Sequence, residues 1–471
     1  MDSFALLSLA VIAGIPALYL AARIWHQPFL GLWLWVALLP ASVRATSLMG
    51  YPAGQGPALL QKLTLNDPLL LLTGLASISV GSGVSGILRG RQGRRIVALF
   101  GGFCGVGLLS ALLNDTGGKC LIDLATYSWL CLSLVIICRL VDTRMRAQQI
   151  LAALGWAAVI SCAASAAGTF FVLSGTVDGW LIAGGRVTGL FEEPQQVQSF
   201  MMVVTPFLCA TALGTGTQIH WRLGAGVLIF LAFLSVVSSG TRAGTILMGL
   251  SICLMVMMTS PRAGAVWIGI LVLIAGAAWQ LVVHHGSEVP FGIRRALSLV
   301  EAASYELRDL SHGRADQLEV WGTVFAKHAL LGVGLDQFRD NVPELVLGGK
   351  AQEMHNSYLA VLAETGLAGG LLMLGLLGTA LTRSISFLCG AWRRGSPGEL
   401  DIARALLVAY IGLLLYGMVQ QGLRQRHFWL VIALIVCLPR ICANSGPGRL
   451  ARTGYLATSS PPRRRVRQGA S

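Results

Sequence analysis

The chain has 471 residues, of which 55% are hydrophobic and 12% charged, and its mean hydropathy is +0.69. That is too apolar and too poor in charge for a soluble multidomain protein, and it describes a polytopic membrane protein. The formal net charge of +14 does not point to nucleic acid, because many of the basic residues lie in short loops and the tail, where they orient a membrane chain.

Apolar runs of about twenty residues recur from end to end, each long enough to cross a bilayer as a helix. The strands of a β-barrel would be short and alternating, so that class is excluded. Spans are expected near 3–22, 28–44, 66–87, 96–113, 121–140, 149–173, 197–216, 223–239, 243–260, 264–283, 356–382, 402–422 and 427–442. The second and last are short, so about 12–13 transmembrane helices are predicted. All are helical, because lipid offers no water to a bare backbone. The 57 glycines suit close helix packing. The first run has no basic leader and no small-residue cleavage site, and it is read as retained. No two of the ten cysteines form a Cys-x-x-Cys pair, so neither zinc nor a disulfide framework is suggested.

Short-loop arginines set the orientation. Arg89/Arg91/Arg94/Arg95, Arg139/Arg144/Arg146, Arg222, Arg262, Arg383/Arg393/Arg394 and Arg463-Arg464-Arg465-Val466-Arg467 all fall on one side, the cytoplasm. The opposite face then holds 114–120, 174–196, 240–242, 284–355 and 423–426. The segment 284–355 is too long to be an idle connection. Inside it, 315–330 carries Leu318, Trp321, Phe325 and His328 at helical spacing, which predicts an amphipathic helix. Gly332-Val333-Gly334 ends it with a turn, not a dinucleotide fingerprint. The chain divides into a membrane domain, 1–442, that includes this loop, and a Pro/Arg/Ser-rich cytoplasmic tail, 443–471, expected to be disordered.

The segment Met354-His355-Asn356-Ser357-Tyr358-Leu359 closes the long loop and opens the next span, with Glu364 further in. His355 is a candidate general base, since an imidazole titrates near neutrality. Asn356 could orient it or donate to a substrate. Glu364 lies nine residues on, which on a straight helix is the opposite face and about 13 Å deeper. It is therefore read as a buried structural ion pair rather than a partner of His355. Arg186, Arg242, Arg314, Arg424 and Arg426 fall on the outer face against the orientation bias. Arginine binds phosphate bidentately and stays charged when partly desolvated, so such a set suits a lipid-linked pyrophosphate. Each alone is more simply an arginine snorkelling to headgroups, and a lone boundary histidine is more simply an interfacial polar residue. Glu192-Glu193 before Pro194 reads as the opening of a helix. His284-His285 lacks further ligands at metal spacing.

The ordered set Arg186-Val187-Thr188-Gly189-Leu190-Phe191, Thr241-Arg242-Ala243-Gly244, Gly313-Arg314, Gly332-Val333-Gly334, then His355-Asn356-Ser357-Tyr358-Leu359 and Glu364-x-Gly366-x-x-Gly369 resembles the O-antigen ligase/polymerase superfamily over roughly 180–375. Glu192-Glu193-Pro194-Gln195 stands where that family often has Pro-Asn, and Thr241 where it often has Ser. The resemblance implies a GT-C-like, all-α membrane glycosyltransferase of the bacterial inner membrane, active at its periplasmic face, inverting and needing neither metal nor other cofactor. Its donor would be a glycan on undecaprenyl pyrophosphate, and its acceptor a second lipid-linked glycan, lipid A–core or a protein hydroxyl. On that resemblance Arg186, Arg242 and Arg314 contact the donor pyrophosphate, and His355 is the catalytic base or acceptor-orienting group. Arg424, Arg426 and Asn356 are taken as further substrate contacts.

The expected function is polymerisation of a surface polysaccharide, an exopolysaccharide, capsule or O-antigen, with partners in a polysaccharide export system and surrounding lipids. O-antigen ligation to lipid A–core is the alternative within the family. A glycan or lipid transporter is the rival from another class, disfavoured because transporters tend toward repeat symmetry and midplane polar sites. A non-catalytic assembly subunit is the third.

Overall fold

In the computed structural model the described residues are 16–42, 57, 62–64, 66–79, 90–114, 117–176, 179, 181–183, 185–214, 217–260, 314–341 and 354–444. The expected span 264–283, most of the loop 284–355 and nearly all of the tail from 443 lie outside them.

The described chain is almost entirely helical. Its helices are α1 (16–26), α2 (Pro28–Ala37), α3 (Asn66–Ser79), α4 (Arg91–Leu113), α5 (Gly117–Leu140), α6 (Arg144–Leu173), α7 (Pro194–Leu213), α8 (Ile219–Ser238), α9 (Arg242–Thr259), α10 (Arg314–Lys327), α11 (Ser357–Arg394), α12 (Pro397–Gly417) and α13 (Arg426–Asn444). A two-stranded antiparallel hairpin, β1 (Ile182–Ala183) and β2 (Arg186–Val187), lies between α6 and α7. Eight of the described helices, α4 to α9, α11 and α12, are long and apolar enough to cross a membrane. The protein is thus an all-α polytopic membrane protein. The helix expected over 28–44 spans only ten residues, Pro28–Ala37.

Several boundaries follow directly from the sequence. Proline opens α2, α7 and α12, where its missing N–H costs nothing. Asn356 caps α11: its side-chain oxygen accepts from the N–H groups of Tyr358 at 3.0 Å and Leu359 at 3.1 Å.

α13 is buried among the described helices. Phe428 to Ile435 are fully buried, as befits a helix apolar on every face. It packs on α5, α12 and α11, and Trp429 meets Phe100 of α4 at 4.5 Å between ring centroids. Pro439 has no N–H to offer the carbonyl of Ile435. Arg383 of α11 donates its Nε to that carbonyl at 3.0 Å and its Nη2 to the Val436 carbonyl at 2.7 Å. Arg383 is therefore not a loop arginine: α11 continues to Arg394 and uses it inside the bundle.

α11 has 38 residues, about 57 Å if straight. It breaks at Gly366, whose φ of 64° and ψ of −167° are not helical. The turn after α10 fills the break. Val333 and Gly334 donate to the carbonyls of Ala363 and Glu364 at 3.0 and 2.9 Å, and Leu367 donates back to Ala329 at 2.8 Å. The two backbones touch through facing glycines. A Cβ on Gly366 would stand 2.3 Å from the Leu330 carbonyl, and one on Gly332 would stand 2.3 Å from the carbonyl carbon of Glu364. Broken helix inside a membrane bundle is tolerable because these exchanged bonds satisfy the freed groups.

α10 lies against α11 with a small core of its own, Val320, Val324, Val333, Phe338, Met354, Ala360 and Ala363. The expected stripe through Leu318 is displaced: Leu318 is exposed, while Val320 and Val324 are buried. The reason is the close packing of small residues, valine on alanine, fixed by Trp321 donating to the Leu359 carbonyl at 2.8 Å.

Candidate functional site

Antiparallel succession brings the starts of α5, α7, α9, α11 and α13 to one end of the bundle, with the ends of α4, α6, α8 and α12. The arginines at 91, 94, 95, 139, 144, 146, 222, 393 and 394 lie toward the other end. At the first end is a cavity of about 660 Å³. His355, Arg424 and Arg426 line it, together with Lys62, Asp67, Asp123, Trp129, Glu192, Glu193 and His427.

His355 is placed by its neighbours in the chain. Ser357 donates to the Gln420 carbonyl at 2.7 Å, Leu423 N–H reaches the Ser357 hydroxyl at 3.4 Å, and Gln421 donates to the Met354 carbonyl at 3.2 Å. The turn between α12 and α13 thus grips the chain on both sides of the histidine. The oxygen of Asn356 is occupied by the helix cap.

Arg424 ends the 3-10 turn Gly422–Arg424 and reaches three carboxylates: Asp123 at 2.8 Å, Asp336 at 3.1 Å and Glu364 at 3.2 Å. Lys62 reaches two of the same groups, Asp123 at 3.1 Å and Asp336 at 3.2 Å. Two cations therefore bridge the same pair of aspartates in a closed ring, with Glu364 attached through Arg424. Burial works against the charge of Lys62, yet Asp123 and Asp336 together hold it above the ordinary lysine range. Burial likewise works against Asp336, and Arg424 and Lys62 outweigh it, holding the carboxyl below its usual range. The ring ties α5, the turn after α10, α11 and the α12–α13 turn together. Buried charges of this kind persist only when paired. Beside it, Arg426 donates its Nε to Asp67 at 3.0 Å, and Trp129 donates to the same carboxylate at 2.9 Å.

Arg186 on β2 does not line the cavity; its Nε donates to the Ser239 carbonyl at 2.8 Å. That carbonyl belongs to the turn Ser239-Gly240-Thr241 from which α9 starts at Arg242, so the hairpin and the Arg242 segment meet. Gln198 of α7 donates to the Ser239 hydroxyl at 2.6 Å and completes the junction. α7 carries both Gln198 at this junction and, within the same turn, Gln195 and Gln196 on the cavity wall, which sets the junction beside the cavity. Arg314 is the first residue of α10; its side chain lies outside the described residues.

Sequence reasoning passed over Lys62, Asp67, Asp123, Asp336 and His427. One signal was available for Asp123. It is an acid inside an apolar run, as Glu364 is, and such a group needs a partner. Nothing local marks Lys62 or Asp336, whose roles come through contacts 61, 88 and 274 positions away. His427 is buried against the Ser199 hydroxyl at 2.9 Å.

No curated protein matches the chain. Residues 227–374, from α8 through the first half of α11, match a family model described as O-Antigen ligase. That stretch holds Arg242, Arg314, His355 and Glu364, and with the apolar helices around it its similarity supports a place for the chain in the O-antigen ligase-like superfamily.

Proposed function

We propose that the protein takes a glycan from undecaprenyl pyrophosphate and adds it to a second lipid-linked glycan, in the polymerisation of a surface polysaccharide. The observation that carries this reading is the position of His355 on a cavity of about 660 Å³, at the same end of the bundle as Arg186 and Arg242. His355 takes the proton of an acceptor hydroxyl as that oxygen attacks the anomeric carbon with inversion. The bond from that carbon to the pyrophosphate oxygen breaks, and Arg186, Arg242 and Arg314 stabilise the charge on the leaving group. No metal or nucleotide enters this scheme. The positive-inside rule assigns the arginine-rich opposite end to the cytoplasm, so the cavity faces the periplasm from the inner membrane. Arg424 and Arg426 are framework in this reading, because Arg424 already holds three carboxylates and Arg426 holds Asp67.

His355→Ala and Arg242→Ala, each at equal membrane level, should abolish or sharply reduce surface glycan; wild-type glycan in both would defeat the mechanism. Turnover of lipid-linked donor by purified protein separates transfer from transport, since a transporter leaves the pyrophosphate bond intact. The description of the matching family model favours a second reading, ligation to lipid A–core. Deletion decides between the two: shortened chains with intact capping mean polymerase, and uncapped lipopolysaccharide means ligase.

A further inference from the structure

The cavity has the wrong charge for a pyrophosphate. Three cationic side chains line it, Lys62, Arg424 and Arg426, against four carboxylates, Asp67, Asp123, Glu192 and Glu193. Asp336 and Glu364 add two more carboxylates on Arg424. All three cations are already engaged by carboxylates in the ring and in the Arg426–Asp67 pair. An entering phosphate would have to displace those acids and leave them buried without compensation, which is strongly unfavourable.

The remaining polar wall has different chemistry. Gln195, Gln196, Gln420, Gln421 and Gln425 face the cavity. The side-chain oxygens of Gln195 and Gln196 are buried and have no hydrogen-bond partner among the described residues. A buried acceptor left open calls for a donor. Phosphate oxygens only accept, whereas each sugar hydroxyl both donates and accepts, matching a wall of amides and carboxylates. Trp129 and Phe191 add apolar surface of the kind a pyranose face covers.

We infer that this cavity is the acceptor's glycan subsite and that it selects sugars without acidic groups, neutral or amino sugars, while the donor pyrophosphate stays outside it beside the Arg186–Arg242 junction. The word acceptor rests on the transferase reading above. The charge selectivity of the cavity does not, and it can be measured without turnover.

The test uses the full chain in nanodiscs and saturation-transfer NMR with two soluble probes, chitotriose and trigalacturonate, and inorganic pyrophosphate as competitor. Chitotriose should bind, trigalacturonate should bind at least about tenfold more weakly, and pyrophosphate should not displace chitotriose. Glu192→Gln/Glu193→Gln should raise the affinity for trigalacturonate relative to chitotriose about tenfold, the size of a charge repulsion removed at short range. Gln195→Leu/Gln196→Leu should weaken chitotriose about tenfold in protein whose gel-filtration profile matches wild type. Equal binding of the two sugars, absence of chitotriose binding, or its displacement by pyrophosphate overturns the inference. Donor turnover that is lost in His355→Ala, together with equal binding of both probes, defeats the subsite alone. Discrimination between the probes without any donor turnover defeats the transferase reading alone.

Discussion

Replacing Arg424 by alanine removes one guanidinium from three carboxylates at 2.8, 3.1 and 3.2 Å. Lys62 remains near Asp123 and Asp336, but Glu364 loses the cation that holds it. Water cannot take over, because the side chains of Asp123 and Glu364 are only 1% and 6% exposed. Removing one partner from a buried ion pair costs about 3–5 kcal/mol. Arg424→Lys should fall between wild type and alanine, since one ammonium cannot span the carboxylates that two guanidinium nitrogens bridge. Glu364→Gln should cost least, because it leaves Arg424 on two carboxylates and keeps the shape of the site. Adding Glu364→Gln to Arg424→Ala should restore part of the loss by removing the unpaired charge. The assay is thermal denaturation of the solubilised protein followed by gel filtration. The apparent midpoint should drop on the order of 5–10 °C in Arg424→Ala. An unchanged midpoint there, or a larger loss in Glu364→Gln than in Arg424→Ala, refutes the ring as a structural tie.

Gly366→Ala should destabilise the bundle by more than about 1 kcal/mol, because its φ is 64° and the added Cβ would meet the Leu330 carbonyl at 2.3 Å; a wild-type midpoint would show that the turn after α10 does not enter the break in α11. Asn356→Ala should lose about 1 kcal/mol from the cap, whereas Asn356→Asp should keep both stability and glycan synthesis; activity lost in the aspartate variant at full stability would make Asn356 a substrate contact instead. Acidification should expose Asp336. Its carboxyl is held below the ordinary value of 3.8 in the folded protein, so its contribution is present above that pH and is lost as pH falls through the lower folded value. Thermal midpoints should therefore fall less steeply below pH about 3.8 in Asp336→Asn than in wild type; identical acid limbs would contradict the pairing.

Helices and their ends were legible in the chain because each follows from local physics. Runs such as 96–113 and 149–173 can only be helical in lipid, and α4 and α6 cover both, extending toward Arg91 and Arg144. Pro194 opens α7 where an N1 proline belongs. The ordered arginines, His355 and Glu364 could be found because each is unusual at its position in a membrane chain. The stripe on α10 was misplaced because helical spacing alone cannot say which of two adjacent apolar rows meets a neighbour, and Val320 and Val324 fit the alanines of α11 where Leu318 does not.

What the linear chain could determine was membrane class, the order of spans and the residue types able to handle phosphate and protons. Only the tertiary structure decided that Arg424 and Arg426 are held by acids, that Arg383 serves the carbonyl left open by Pro439, and that Lys62, Asp123 and Asp336 stand together. The physical reason is that a charge's role is set by what stands within about 4 Å of it. Those neighbours come from segments up to 364 positions away, a pairing that no local pattern encodes.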